Sequence, residues 1–61
     1  MQKYYLSLAS DNFLLDECET LSRANYLAWS YSNRWEEAVV ITLVIDGHEE
    51  DIAIVEPDGM F

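Results

Sequence analysis

The chain is poor in the residues that punctuate, staple or ligate. Glycine occurs twice, at Gly47 and Gly59, and proline once, at Pro57. That excludes a glycine-rich phosphate-cradling loop and leaves no Gly/Pro-rich linker. Cys18 is the only thiol and His48 the only imidazole. A single cysteine closes no intrachain disulfide and points to a reducing compartment, the cytoplasm. One Cys and one His also rule out a conventional four-ligand zinc site within the chain. Positive charge is scarce as well. Lys3, Arg23 and Arg34 stand against twelve carboxylates, for a formal net charge of −9. Such a surface repels nucleic acid and anionic membranes, so direct binding to either is rejected. It attracts basic surfaces, including those of proteins that handle DNA or RNA. No apolar run fits a signal peptide or approaches the length of a membrane span.

What is present is enough for one domain, residues 1–61. Hydrophobic residues make up 51% of the chain, which argues against a disordered acidic tail. A chain this short buries only about 60% of the surface that its unfolded state exposes, so its core is thin. Solubility is satisfied by about 2–8 net charges on a small domain. The surplus here costs folding energy through self-repulsion and is therefore a candidate for function.

The clearest element is a hairpin in the C-terminal half. Ala38 to Ile45 is β-branched and apolar, Asp46-Gly47 forms the turn, and Asp51 to Val55 returns. On the outgoing strand Val39, Ile41, Leu43 and Ile45 form one row and Val40, Thr42 and Val44 the other. Both rows are apolar, which places this strand in the middle of a sheet or under cover on both sides. On the return strand, strict alternation groups Ile52 with Ile54 and groups Asp51 with Ala53 and Val55. Pro57-Asp58-Gly59 ends it. Near the N-terminus, Tyr4, Leu6 and Leu8 alternate with Lys3, Tyr5 and Ser7, and Ser10-Asp11-Asn12 is a turn. Phe13-Leu14-Leu15 then forms a short strand or opens a long helix. The strand is favoured because Thr20 caps the periodic segment that follows, with Asp16 and Glu19 as the competing capping box. From Leu21 to about Asn33 the period is helical, and Leu21, Ala24, Leu27, Ala28 and Tyr31 share one stripe that Trp35 extends. The expected fold is α+β: a small antiparallel sheet with one helix packed on one face, in the order ββαββ or, without the Phe13–Leu15 strand, βαββ.

Two features fall outside the core. Tyr26 and Trp29 project opposite or lateral to the apolar stripe, so that one or both are at least partly exposed, unless they cover the edge of the sheet or the helix phase is shifted by one residue. Exposed aromatic rings are enriched at binding hot spots. The carboxylates come in groups: Asp16, Glu17 and Glu19 before the helix, Glu36 and Glu37 after it, and Asp46, Glu49, Glu50 and Asp51 around the hairpin turn. Strand residues two apart lie ~6.6–6.8 Å apart on one face. For Glu49 and Asp51 that is similar to the separation of successive phosphates on a nucleic-acid strand. The competing account is a solvated hairpin whose charges keep an edge strand from aggregating. The hairpin acids lack the register of a calcium loop, so neither a metal nor another cofactor is expected. Catalysis is not expected either. A general acid needs a pocket that raises its pKa, and nothing in the sequence brings Cys18 to His48.

The acidic excess, the clusters Asp16-Glu17-Glu19 and Glu49-Glu50-Asp51, and the exposed aromatics resemble small acidic phage-encoded inhibitors of the anti-CRISPR and DNA-mimic type. The resemblance is one of composition and covers the whole chain. It implies a non-enzymatic protein that binds a nucleic-acid-handling enzyme or complex, such as a CRISPR-Cas complex, in the host cytoplasm. Its carboxylates would pair with the target's Lys and Arg, and an aromatic anchor would supply the apolar centre of the interface. The rival is a small homodimeric structural or accessory subunit whose apolar strand face and Tyr26/Trp29 patch close on a second copy, which the Val40–Thr42–Val44 row favours. An acidic chaperone-like binder of a basic partner is a third reading.

Overall fold

The structure, a computed structural model, describes residues 2–58. The element order is β1 (Gln2–Leu8), β2 (Leu14–Cys18), α1 (Leu21–Trp35), β3 (Val39–Ile45) and β4 (His48–Val55), which is the expected ββαββ. The strands form one antiparallel sheet in the order β2-β1-β3-β4, with α1 packed on one face. The apolar strand β3 is central, as its two apolar rows require. β4 and β2 are the edges.

Local chemistry explains where the elements begin and end. Thr20 has extended backbone (φ −129°, ψ 148°), and its hydroxyl accepts the Arg23 amide at 3.2 Å, so the helix starts at the Thr20 cap. The helix stops at Glu36, which adopts the left-handed conformation (φ 56°, ψ 39°) with its N–H on the Ser32 carbonyl. Asp46 (φ 50°) and Gly47 (φ 85°) both have positive φ, the requirement of the tight turn that matches strand twist. Between β1 and β2 the turn closes through the Asn12 amide on the Leu8 carbonyl (2.9 Å) and the Leu8 amide on the Phe13 carbonyl (3.0 Å). Asp11 Oδ1 accepts the Phe13 amide at 3.0 Å within it.

The core lies between α1 and one sheet face. Leu6, Val39 and Ile41 are fully buried there, with Tyr4 and Leu8 beside them. Ala24, Ala28 and Ser32 form the helix's contact line, and their small side chains let it approach the sheet closely. The Ser32 hydroxyl is satisfied by donating to the Trp29 carbonyl at 2.9 Å. Leu27, Tyr31, Leu15, Cys18, Leu43, Ala53 and Val55 fill the periphery.

Three expectations change. The second strand runs Leu14–Cys18 rather than Phe13–Leu15, so Asp16 and Glu17 are strand residues and not a charged lead-in to the helix. Leu21 and Trp35 leave the buried stripe, at 44% and 48% exposed. They are the first and last residues of α1. β2 and β3 are both antiparallel to β1, so α1 returns from the end of β2 to the start of β3, and its buried contact line is the central Ala24, Ala28 and Ser32. Finally, Asp51 does not share a face with Ala53 and Val55. The β3–β4 register passes from Ile41↔Ala53 to Thr42↔Asp51, which leaves Ile52 as an extra residue in a β-bulge. The bulge reverses the alternation, so Ala53 and Val55 pack toward the helix while Asp51 turns to the opposite face. A second irregularity, at Leu15 in β2, likewise lets Leu14 and Glu17 face one way while Leu15 packs on the core. Of the expected Pro57-Asp58-Gly59 terminus to β4, Gly59 lies outside the described residues.

Candidate protein-binding surface

The helix covers one side of the sheet. On the other side no described element packs, and strand pairing dictates which residues meet there. One row crosses all four strands: Glu17, Tyr5, Thr42 and Asp51. Toward the hairpin tip, Lys3, Val44 and Glu49 form the next row. Toward the other end stand Leu14, Ser7, Val40 and Ile54. Apolar side chains thus occupy this open face beside three carboxylates, and Ile54 is 61% exposed. A cleft of about 420 Å³ opens on it, lined by Tyr5, Ser7, Asn12, Leu14, Thr42, Glu49 and Asp51.

The polar contacts on this face are few. Lys3 Nζ donates to Glu17 Oε1 at 3.2 Å, and this hydrogen bond, together with the carboxylate's charge, raises the lysine pKa above its ordinary value. The Thr42 hydroxyl donates to Asp51 Oδ1 at 2.8 Å. Glu49 makes no ion pair with a described residue. Because β4 begins at His48, Glu49 and Asp51 are consecutive outward residues of one strand, before the bulge, and keep the ~6.6–6.8 Å strand spacing.

The remaining carboxylates named from sequence are dispersed. Asp16 turns to the helix side, where its Oδ2 accepts the Tyr31 hydroxyl at 3.1 Å. That bond, with partial burial, raises the Tyr31 pKa. Glu37 accepts the Ser10 hydroxyl at 2.6 Å, and Glu36 is the helix C-cap. Glu19 is exposed between β2 and α1, Asp46 occupies the turn, and Glu50 pairs with Leu43 on the helix side of the sheet. The three clusters therefore do not merge into one patch. The open face selects Glu17, Glu49 and Asp51 from among them.

Tyr26 and Trp29 are 59% and 43% exposed, and their rings pack against each other with centroids 6.5 Å apart. The Trp29 indole N–H donates to Asp58 Oδ2 at 3.3 Å. Both belong to α1 and so lie across the sheet from the open-face carboxylates. The ring that shares a face with those carboxylates is Tyr5. Its alternation with Tyr4 and Leu6 marked it as the outward member of β1, but assigning it a companion required the cross-strand register.

Among the described residues no three His, Cys, Asp or Glu side chains gather to hold a metal ion, and no helix is long and apolar enough to cross a membrane. No family model, curated protein or solved structure matches the chain.

Proposed function

We propose that the protein is a non-enzymatic inhibitor that presents its open sheet face to a basic, nucleic-acid-binding site on a target such as a CRISPR-Cas or other nucleic-acid-handling complex. One observation carries the reading: strand register places Glu17, Glu49 and Asp51 around Tyr5 on a sheet face that no described element covers. Carboxylates of one strand at this spacing offer a partner's Lys and Arg a row of charge-assisted acceptors. The half-buried Val40 and Val44 and the exposed Ile54 supply apolar area beside them.

The homodimer reading joins the open strand face to the Tyr26/Trp29 patch, which lie on opposite sides of the sheet, and on the open face charge weighs against it. Closing the face on a second copy would bring two sets of carboxylates together in a dry interface, where like charges repel most strongly. A basic partner meets the same groups with attraction.

The test compares the full chain with a Glu17→Gln, Glu49→Gln, Asp51→Asn variant as bait in cytoplasmic extract, with and without nuclease. The reading expects a nucleic-acid-binding target that is recovered better after nuclease treatment, is released as salt rises, competes with duplex or guide RNA, and is lost with the variant. Recovery that is indifferent to salt, nucleic acid and the three substitutions would refute it. A stable dimer in solution that buries Tyr5 would favour the rival.

A further inference from the structure

We infer that the cleft on the open face receives an arginine side chain of the partner, its guanidinium stacked on Tyr5 and hydrogen-bonded to Glu49 and Asp51. This rests on the proposed recognition of a basic surface and specifies what docks.

Charge selects a cation. Glu49 and Asp51 both line the cleft, and Asp51 accepts from a neutral hydroxyl, that of Thr42, at 2.8 Å. The chain's own cation on this face, Lys3, stands in the row of Glu49 two strands away, but it is held by Glu17 at 3.2 Å and does not line the cleft. The acidic end is therefore left for a cation from outside. With only three basic residues against twelve acidic ones, a second copy of the chain is a poor source of one.

Geometry selects arginine over lysine. The Thr42 hydroxyl occupies Oδ1 of Asp51, which leaves Oδ2 and the two Glu49 oxygens to accept. A guanidinium carries five N–H donors in a rigid planar fork and reaches acceptors on two carboxylates, whereas an ammonium acts as a point charge. The aromatic ring in the lining adds a surface on which a planar cation stacks. Leu14 gives the methylene stem an apolar wall, and Ser7 and Asn12 keep the far end polar and wet.

The experiment titrates the ¹⁵N-labelled full chain at low salt with oligo-arginine and oligo-lysine peptides of equal length. The expected result is that oligo-arginine binds at least about threefold more tightly, the size of an exposed cation–π contact. Shifts should centre on Tyr5, Ser7, Thr42, Glu49 and Asp51. Tyr5→Phe should keep the preference and Tyr5→Leu should remove it. Asp51→Asn should weaken oligo-arginine several-fold, while Glu36→Gln, which removes a charge elsewhere, should leave the Arg/Lys ratio unchanged. Should Tyr5→Leu fail to fold, Glu49→Gln with Asp51→Asn must abolish the preference instead. Equal affinity for both peptides, with shifts spread over all the acidic clusters, overturns the arginine cleft but leaves recognition of basic surfaces standing. If neither peptide binds, both fall.

Discussion

Glu36 occupies a backbone position that asks for glycine. Its φ of 56° is left-handed, where a side chain with a Cβ is strained by about 1–2 kcal/mol. Glu36→Gly should therefore stabilise the fold by about 1 kcal/mol, read as a higher denaturant midpoint at unchanged slope. Because Glu36 lies at the end of α1, partner binding through the open face should not change. Tyr31 gives a pH signature. Its pKa is raised above the ordinary 10.0 by the hydrogen bond to Asp16, so the folded state holds the phenol proton more tightly than the unfolded chain. That contribution is fully present below the unfolded value and is lost as pH rises through the raised folded value. Urea melts across this alkaline range should show stability falling in the native chain, and a smaller fall in Tyr31→Phe. The exposed Lys3–Glu17 pair acts in the same direction but contributes little, as exposed pairs do.

β4 depends on one extra residue. Glu49 and Asp51 face outward at its start and Ala53 and Val55 face inward at its end, an arrangement impossible for a regular strand of period two. Ile52 makes it possible by taking up the bulge. Deleting Ile52 removes the extra residue and with it the need for a bulge: Asp51 would still face outward opposite Thr42, and Ala53 inward opposite Ile41, in a strand of regular alternation. The domain should therefore keep its fold, with stability within about 1 kcal/mol of the native chain and well-dispersed amide resonances. A deletion mutant that lost several kcal/mol or showed broadened resonances would overturn the assignment of Ile52 as the surplus residue between the two faces.

For the whole molecule the governing quantity is the net charge of −9 on so small a core. Like-charge contacts worth a few tenths of a kcal/mol each accumulate in the compact state. Raising sodium chloride from a few millimolar to about 0.5 M should therefore stabilise the fold by roughly 1 kcal/mol, measured by thermal or urea unfolding. Partner affinity should move the opposite way, because the same screening weakens attraction to a basic surface. Stability rising while binding falls along one salt axis distinguishes a binding surface from charges that serve solubility alone.

Much of the fold was legible because it rests on short-range chemistry: the Thr20 cap, the Asp46-Gly47 turn, the alternation in β1 and the two-sided apolar run of β3 each act within a few residues. The exposure of Tyr26 and Trp29 follows as surely, since one sheet can bury only one side of a lone helix. Pairing between distant strands is another matter. Whether β2 takes in Asp16 and Glu17, where the bulges at Leu15 and Ile52 fall, and that Glu17, Tyr5, Thr42 and Asp51 line up in one row all depend on contacts between residues 7 to 37 positions apart. Composition along the chain counts carboxylates, whereas cross-strand register assigns each to a face, and a one-residue shift moves a side chain from one face to the other. Hence the chain announces an acidic α+β domain, but its folding alone chooses which three of twelve acids stand beside an open aromatic ring.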